Sequence, residues 1–289
     1  MIIIDYSGIA IANIFVQNMA NDLSEGLIRH MILNSIRMYN MKFKNEFGQI
    51  YIACDHSSWR KQVYTHYKAN RLAGREASSI DWDEVYEWVG RVKDELDQFS
   101  PYIVLHIKGA EADDIIACLV ESTQEFGKNE PVKIISADHD FLQLQRYSNV
   151  SQYSSIGKKE LKTKDPIRYL FEHIVRGDTG DGVPNIFSPD DVFIDKNKRQ
   201  APVLKKKLEA LYSSFLTGEI EFDKVEHKRN FARNKKMIDL SEIPADIKEK
   251  INAVIREKQT QPIPNSNVFL NYLIQKKCTK LITNLTEFY

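Results

Sequence analysis

The sequence predicts an α/β fold: a central, mostly parallel sheet flanked by helices, with a helical region at the carboxy terminus. Three observations carry that expectation. Short apolar runs alternate with amphipathic stretches of helical spacing as far as residue 136. Acidic residues stand just past the apolar runs, where the strand ends of an open parallel sheet would line up along one edge. Beyond Val150 the strand pattern gives way to helices.

The elements follow in order. Ile2-Ile3-Ile4 reads as the first strand, and residues 24–39 as a helix with Leu27, Ile28, Met31, Ile32, Ser35, Ile36 and Tyr39 on one face. The run at residues 50–54 is a second strand. Helices over 82–99, stopped by Ser100-Pro101, and over 111–126, stopped by Gly127, enclose a third strand at 103–107; a fourth lies at 132–136. This alternation implies a parallel sheet covered on both faces. Short strands around 151–154 precede helices near 166–175, 202–216, 245–258 and 265–277. The expected division is an α/β catalytic domain over 1–182 and a helical region over 183–289, with no internal repeat.

A chain of 289 residues with 43% hydrophobic content can bury one large core, or one core and an appendage. Forty basic and forty acidic residues cancel, which argues against a general polyanion binder but says nothing of where the charges lie. They segregate: the acids cluster at strand ends, and residues 60–75 and 196–236 are rich in Lys and Arg. Cys54, Cys118 and Cys278 show no metal-ligand spacing and read as small buried hydrophobes of a reducing compartment. The apolar amino terminus carries Asp5 and no basic leader, and no stretch reaches the ~20 apolar residues of a membrane span. A cytoplasmic monomer is expected.

The acidic groups are Asp5, Asp55, the trio Glu111, Asp113 and Asp114, the pair Asp138 and Asp140, and the pair Asp178 and Asp181 in a glycine turn. Each has an ordinary explanation. A lone Asp after a strand is often a helix cap, and acids at the start of a helix interact well with its dipole. Gathered at one edge, nine carboxylates repel one another by several kcal/mol unless cations neutralise them. Alternation along Ser136-Ala137-Asp138-His139-Asp140 would aim both carboxylates to one side of a strand end. The all-oxygen set suits two Mg²⁺, with Mn²⁺ as a substitute, in a two-metal phosphodiesterase site. His139 reads as structural or outer-shell, and the other histidines as forming no constellation. No Ser, Cys or His nucleophile is evident.

Residues 56–80 interleave Arg60, Lys61, Lys68, Arg71 and Arg75 with Trp59, Tyr64, His66 and Tyr67, cations and stacking faces of the kind a single strand requires; a solvated helix is the plainer reading. The 196–236 segment, with Lys205, Lys206 and Lys207, reads as a holder of duplex phosphates or as a solvated basic face.

These residues together resemble the flap endonuclease and 5′-3′ exonuclease superfamily, and within it the ribonuclease H group of T-even bacteriophages. The resemblance rests on the Ile-Asp-Tyr-Ser opening, Leu33-Asn34-Ser35-Ile36, Cys54-Asp55, Tyr67-Lys68-Ala69-Asn70-Arg71, Glu111-Ala112-Asp113-Asp114, Ser136-Ala137-Asp138-His139-Asp140, Gly177-Asp178-Thr179-Gly180-Asp181 and the tail from 281 to 288. It implies that Asp5, Asp55, Asp113 and Asp138 surround a first metal, with Glu111 and Asp114 close by, and that Asp140, Asp178 and Asp181 serve a second. It implies an arch over residues 56–80 that passes a 5′ single-stranded end, with Lys68 and Arg71 on the reacting phosphate. It further implies 5′-3′ hydrolysis of RNA–DNA hybrids and duplex or flap DNA for RNA primer removal, alongside a single-stranded-DNA-binding protein.

Two departures matter. The segment after Asp181, Val183-Pro184-Asn185-Ile186, lacks the glycines with which relatives grip duplex phosphates, so potassium binding there does not carry over. Asp5 stands near the start of the chain, without the longer tail associated with sliding-clamp contact, so clamp binding does not carry over either. A PIN-like ribonuclease shares the acidic edge but is shorter and lacks the basic arch. A haloacid-dehalogenase-like phosphatase needs an Asp-x-Asp that Asp5-Tyr6-Ser7 does not provide. A structure-specific DNA-binding protein with weak or lost chemistry is the non-enzymatic alternative, against which the full acidic set argues.

Overall fold

The computed structural model describes residues 1–18, 23–71, 78, 80–195 and 197–289. Six strands form one sheet: β1 (Ile2–Asp5), β2 (Ile50–Cys54), β3 (Ile103–His106), β4 (Val132–Ile135), β5 (Val150–Tyr153) and β6 (Glu160–Leu161). Their order is β3-β2-β1-β4-β5-β6, with every pairing parallel except β5 with β6. The order reverses beside β1, so the carboxyl ends of β1, β2 and β4 face a shared crevice, the usual ligand edge of an open sheet.

Both faces of the sheet are covered, which is why its central strands are largely apolar. Ile2 and Ile4 pack against α1 (Tyr6–Asn18), α2 (Glu25–Phe47) and the amphipathic helix Trp82–Phe99, while Ile3 faces the opposite cluster, where Ile115, Ile116, Ile247 and Ile251 meet. All three isoleucines are fully buried, and each such side chain is worth roughly 1.5–3 kcal/mol.

The first strand runs straight into α1 with no breaker, so two helices separate β1 and β2 where the pattern had suggested one. The second of these continues past residue 39, because nothing stops it before Gly48, which takes φ 76°. Numbering the helices in chain order, α3 is Arg60–Val63, α4 is Trp82–Phe99, α5 is Ala112–Ser122 and α6 is Pro166–Arg176. The carboxy-terminal helices are α7 (Lys205–Leu216), α8 (Val225–Ile238), α9 (Ala245–Thr260), α10 (Ser266–Gln275) and α11 (Thr279–Ile282).

The carboxy-terminal helices seat in two places. Phe269, Tyr272 and Phe288 join the core under α2, and Asn40 Nδ2 donates to the Glu287 carbonyl at 2.9 Å. Phe171, Val175, Ile186, Leu208 and Leu211 form a separate small core among α6, α7 and the 183–189 segment. The three cysteines are free and buried. No helix among the described residues is long and apolar enough to cross a membrane.

Candidate metal centre and arch base

Asp5 ends β1 at the centre of the sheet, and its carboxylate is held from both sides. Gly8 N donates to Oδ1 at 2.9 Å and Ser136 Oγ to Oδ2 at 2.8 Å. Gly8 is required there: a Cβ on it would lie 2.4 Å from Asp5 Oδ2. Asp55 follows β2, and its Oδ1 accepts from the backbone N of Ala112, the first residue of α5, at 2.8 Å.

The expected alternation at Asp138 and Asp140 is corrected. Strand β4 ends at Ile135, and Asp138 caps a 3₁₀ helix over His139–Arg146, accepting from Asp140 N at 2.9 Å. Gln152 Nε2 fixes the turn by donating to the Ser136 and Asp138 carbonyls. Asp178 accepts from Asp181 N at 3.1 Å in a turn that only glycine closes, because a Cβ on Gly177, at φ 70°, would meet Val183 O at 2.3 Å.

Burial, then the charge of Asp55, pushes the Asp5 carboxyl up to about 6. Burial and then Asp138 push Asp113 well above the usual range, and burial and then Asp138 and Asp178 do the same to Asp140. Asp178 is raised by burial and by Asp181. Carboxylates raised by burial and by one another lack positive charge beside them, and the oxygen-only donors of Asp5, Asp55, Asp113 and Asp138 suit a divalent ion such as Mg²⁺ or Mn²⁺.

Glu111 and Asp114 have a different environment. Asp114 is fully buried; its Oδ1 faces Arg60 Nη2 at 2.9 Å, and its Oδ2 accepts from Trp59 Nε1 at 3.2 Å and Glu111 N at 2.9 Å. Glu111 accepts from Arg60 Nη1 (2.9 Å), Ser58 Oγ (2.5 Å) and Lys68 Nζ (2.5 Å), with Tyr67 Oη 3.1 Å away. Burial alone would raise it, but Lys68 and Arg60 outweigh burial and hold it at about 2. These two carboxylates support the base of the basic segment, and Asp114 stands behind the open acidic set, occupied by the chain's own donors.

Arg60 and the rings of Trp59, Tyr64 and Tyr67, expected to contact nucleic acid, are corrected on burial. Arg60 is 2% exposed and also donates through Nε to the Met237 carbonyl at 2.9 Å, so it cannot reach a phosphate in solution. Tyr67, with Trp59 and Tyr64, lies in the core, and its hydroxyl donates to Asp181 Oδ2 at 2.8 Å; these rings offer no stacking face. Arg75 lies outside the described residues.

Lys61 and Arg71 are exposed, and Arg71 forms an ion pair with Asp181. Lys68 Nζ sits 2.5 Å from Glu111 Oε1 and 3.6 Å from Asp181 Oδ2, and the charges of Asp181 and Glu111 raise its ammonium against the lowering effect of burial. Its backbone takes φ 59°, an uncommon conformation off glycine, held by Lys68 N donating to the Asp181 carbonyl at 2.7 Å. Lys205 and Lys206 are exposed at the start of α7, and Lys207 pairs with Asp223 at 3.2 Å.

One residue was missed. His173, read as part of no constellation, stands on α6 between Asp140 and Asp178, and the three offer ligand atoms within 4.8 Å of one another. The signal was present in its spacing, five residues before Asp178 across the helix end, but nothing in sequence tied it to Asp140.

The family model of the 5′-3′ exonuclease N-terminal resolvase-like domain matches residues 1–171, and that of the T4 RNase H carboxy-terminal region matches residues 167–288. Ribonuclease H of Enterobacteria phage T4 is 30% identical over 296 residues, spanning 99% of this chain and 95% of that protein. Among solved structures, the bacteriophage T5 flap endonuclease in a pseudo-enzyme-product complex with DNA and metal ions has a TM-score of 0.62 at 16% identity, over 90% of this chain and 99% of that one. The T5 5′-exonuclease with bound zinc has a TM-score of 0.60 at 15% identity, over 89% and 99%. These structures share the fold of a mostly parallel sheet with a helical carboxy-terminal region. On the two family models and the T4 relative, which together span nearly the whole sequence, the chain belongs to the 5′-3′ exonuclease family of nucleases.

Proposed function

We propose that the protein is a Mg²⁺-dependent 5′-3′ exonuclease and flap endonuclease that hydrolyses duplex DNA and RNA–DNA hybrids from 5′ ends and removes RNA primers in phage DNA replication. The observation that carries this reading is the seating of Lys68 and Arg71, the base of the basic segment, directly against Glu111 and Asp181 of the acidic crevice. Cations that touch the acidic set can also touch a phosphodiester brought to it.

In this reading Asp5, Asp55, Asp113 and Asp138 hold one ion, and Asp140, Asp178 and Asp181 hold the other. Bound there, two divalent ions would supply Lewis acidity and a counter-charge for the attacking and leaving oxygens. The chain's own part is placement. Gly8 and Ser136 orient Asp5, the 3₁₀ turn orients Asp138, and Arg60 locks Glu111 so that Lys68 is aimed over the crevice. Lys68 and Arg71 then neutralise the scissile phosphate and the charge that develops on it. Lys61 extends the path of the strand, and Lys205, Lys206 and Lys207 hold the duplex by phosphate contacts.

DNA with a 5′ flap or fork and RNA–DNA hybrids are the proposed partners, together with a single-stranded-DNA-binding protein, in the cytoplasm of the host. The test is incubation with a 5′-labelled flap and a labelled RNA–DNA hybrid, with and without Mg²⁺. Products released from the 5′ end of both substrates only with Mg²⁺ are expected. Binding without cleavage in Mg²⁺ and in Mn²⁺ would replace the reading with that of a structure-specific DNA-binding protein.

A further inference from the structure

The carboxylates of the second site do not account for His173. It stands in the last turn of α6, with Nδ1 3.3 Å from Asp140 Oδ1 and Nε2 3.8 Å from Asp178 Oδ2. Nδ1 is buried and makes no hydrogen bond. Leaving a buried nitrogen unsatisfied costs about 1–3 kcal/mol, a cost that a bound ligand would remove. Two ligands in neighbouring positions on an octahedral ion, each at about 2.1 Å, lie about 3 Å apart, close to the separation of Nδ1 from Asp140 Oδ1. Nε2 stands 3.8 Å from Asp178 Oδ2, beyond hydrogen-bond reach, so Asp178 keeps Oδ2 free for the same ion. The negative end of α6 adds a favourable field for a cation.

Resting on the nuclease reading above, we propose that His173 is a nitrogen ligand of the second cation through Nδ1, alongside Asp140 and Asp178. The two sites then differ in chemistry. The site at Asp5, Asp55, Asp113 and Asp138 is all oxygen and suits Mg²⁺, whereas the mixed nitrogen and oxygen site favours Mn²⁺, Co²⁺ or Zn²⁺ over Mg²⁺. If His173 only orients Asp140 by hydrogen bonding, no nitrogen contacts the ion.

The experiment binds Mn²⁺ to the full chain and reads electron spin-echo modulation from a directly coordinated nitrogen, with calorimetric titration of Mn²⁺ and Mg²⁺ beside it. Nitrogen coupling is expected in the wild type and absent in His173→Gln. In that variant the affinity of one Mn²⁺ site should fall about tenfold or more while Mg²⁺ affinity shifts less than about threefold. The wild-type spectrum stands whether or not the variant folds. A wild type that binds two Mn²⁺ without nitrogen coupling, or a His173→Gln protein that keeps the coupling, overturns the assignment and leaves the nuclease reading intact. A wild type that binds neither ion overturns the nuclease reading itself.

Discussion

The Asp5 carboxylate is gripped by Gly8 and Ser136 and crowded by Asp55. Its proton is held up to about pH 6 in the folded chain but only to the usual 3.8 when unfolded. Its contribution to stability is therefore complete below the unfolded value and lost as pH rises through about 6, a difference of about 3 kcal/mol at pH 8 by linkage. Without divalent ions, Asp5→Asn should melt above the wild type at pH 8, with the gap closing towards pH 4. The neutral imidazole of His173, lowered by burial, pulls the other way as pH falls, but it does so in both proteins, so the difference between melts isolates Asp5. A gap that does not change with pH would contradict this account. Arg60 gives the opposite residue-level case. Its removal in Arg60→Met strands Glu111 and Asp114, and unpairing a buried charge costs about 3–5 kcal/mol. Denaturant unfolding should show that loss. A variant of unchanged stability that binds DNA poorly would return Arg60 to the phosphate contacts.

At the scale of elements, the base of the basic segment and the start of α7 should fail differently. Lys68→Ala should lower the single-turnover rate at saturating enzyme, because a contact to the reacting phosphate is missing even when substrate is bound. Replacing Lys205, Lys206 and Lys207 together by Ala should instead weaken binding, with the saturated rate preserved. The salt slope should fall by up to about 2.7 if all three touch phosphates. Lys68→Ala cleaving at the wild-type rate once saturated would remove it from the reaction. The elements that sequence revealed, and those it hid, divide along the same physical line. Helix α4 was read to the residue because its apolar stripe is broad and Ser100-Pro101 ends it. Helix α8 was read only as a basic tract, since half of its residues are Lys, Arg or Asn. Its buried Asn230 and Asn234 instead donate to the carbonyls of Ile186, Ser188, Ile174 and Pro184, a polar packing that hydrophobic periodicity cannot register. The aromatics at 59, 64 and 67 were misplaced for a related reason: spacing shows that rings and cations alternate but not which of them turns inward.

For the whole molecule, the acidic residues at the sheet edge were legible because Asp5, Asp55, the Glu111–Asp114 group and Asp138 come after parallel strands, which end together. The pairing of His173 with Asp140 was not, because it depends on how α6 lies against the 3₁₀ turn of residues 139–146. The set also makes stability depend on ions. Mn²⁺ at a hundred times its dissociation constant should stabilise the fold by about 2.7 kcal/mol per site, visible as a rise in melting temperature. Asp138→Asn, which removes charge from the centre of the cluster, should melt higher than wild type in chelator and gain less from Mn²⁺. Equal gains in the two proteins would show that the ion binds elsewhere.

The position of Lys68 between Glu111 and Asp181 has a further consequence. In the absence of bound ions the protein supplies part of its own counter-charge, so this ammonium is an internal competitor for the place of a divalent cation. If Asp181 serves an ion as proposed, a nucleic-acid phosphate that drew Lys68 away would leave Asp181 with Arg71 as its cation and tighten ion binding there. By reciprocity, the ion would then tighten the phosphate by the same factor. On the proposed reading, substrate and metal would recruit each other through the movement of a single side chain, and the acidic crevice would bind its ions most firmly with DNA already in place.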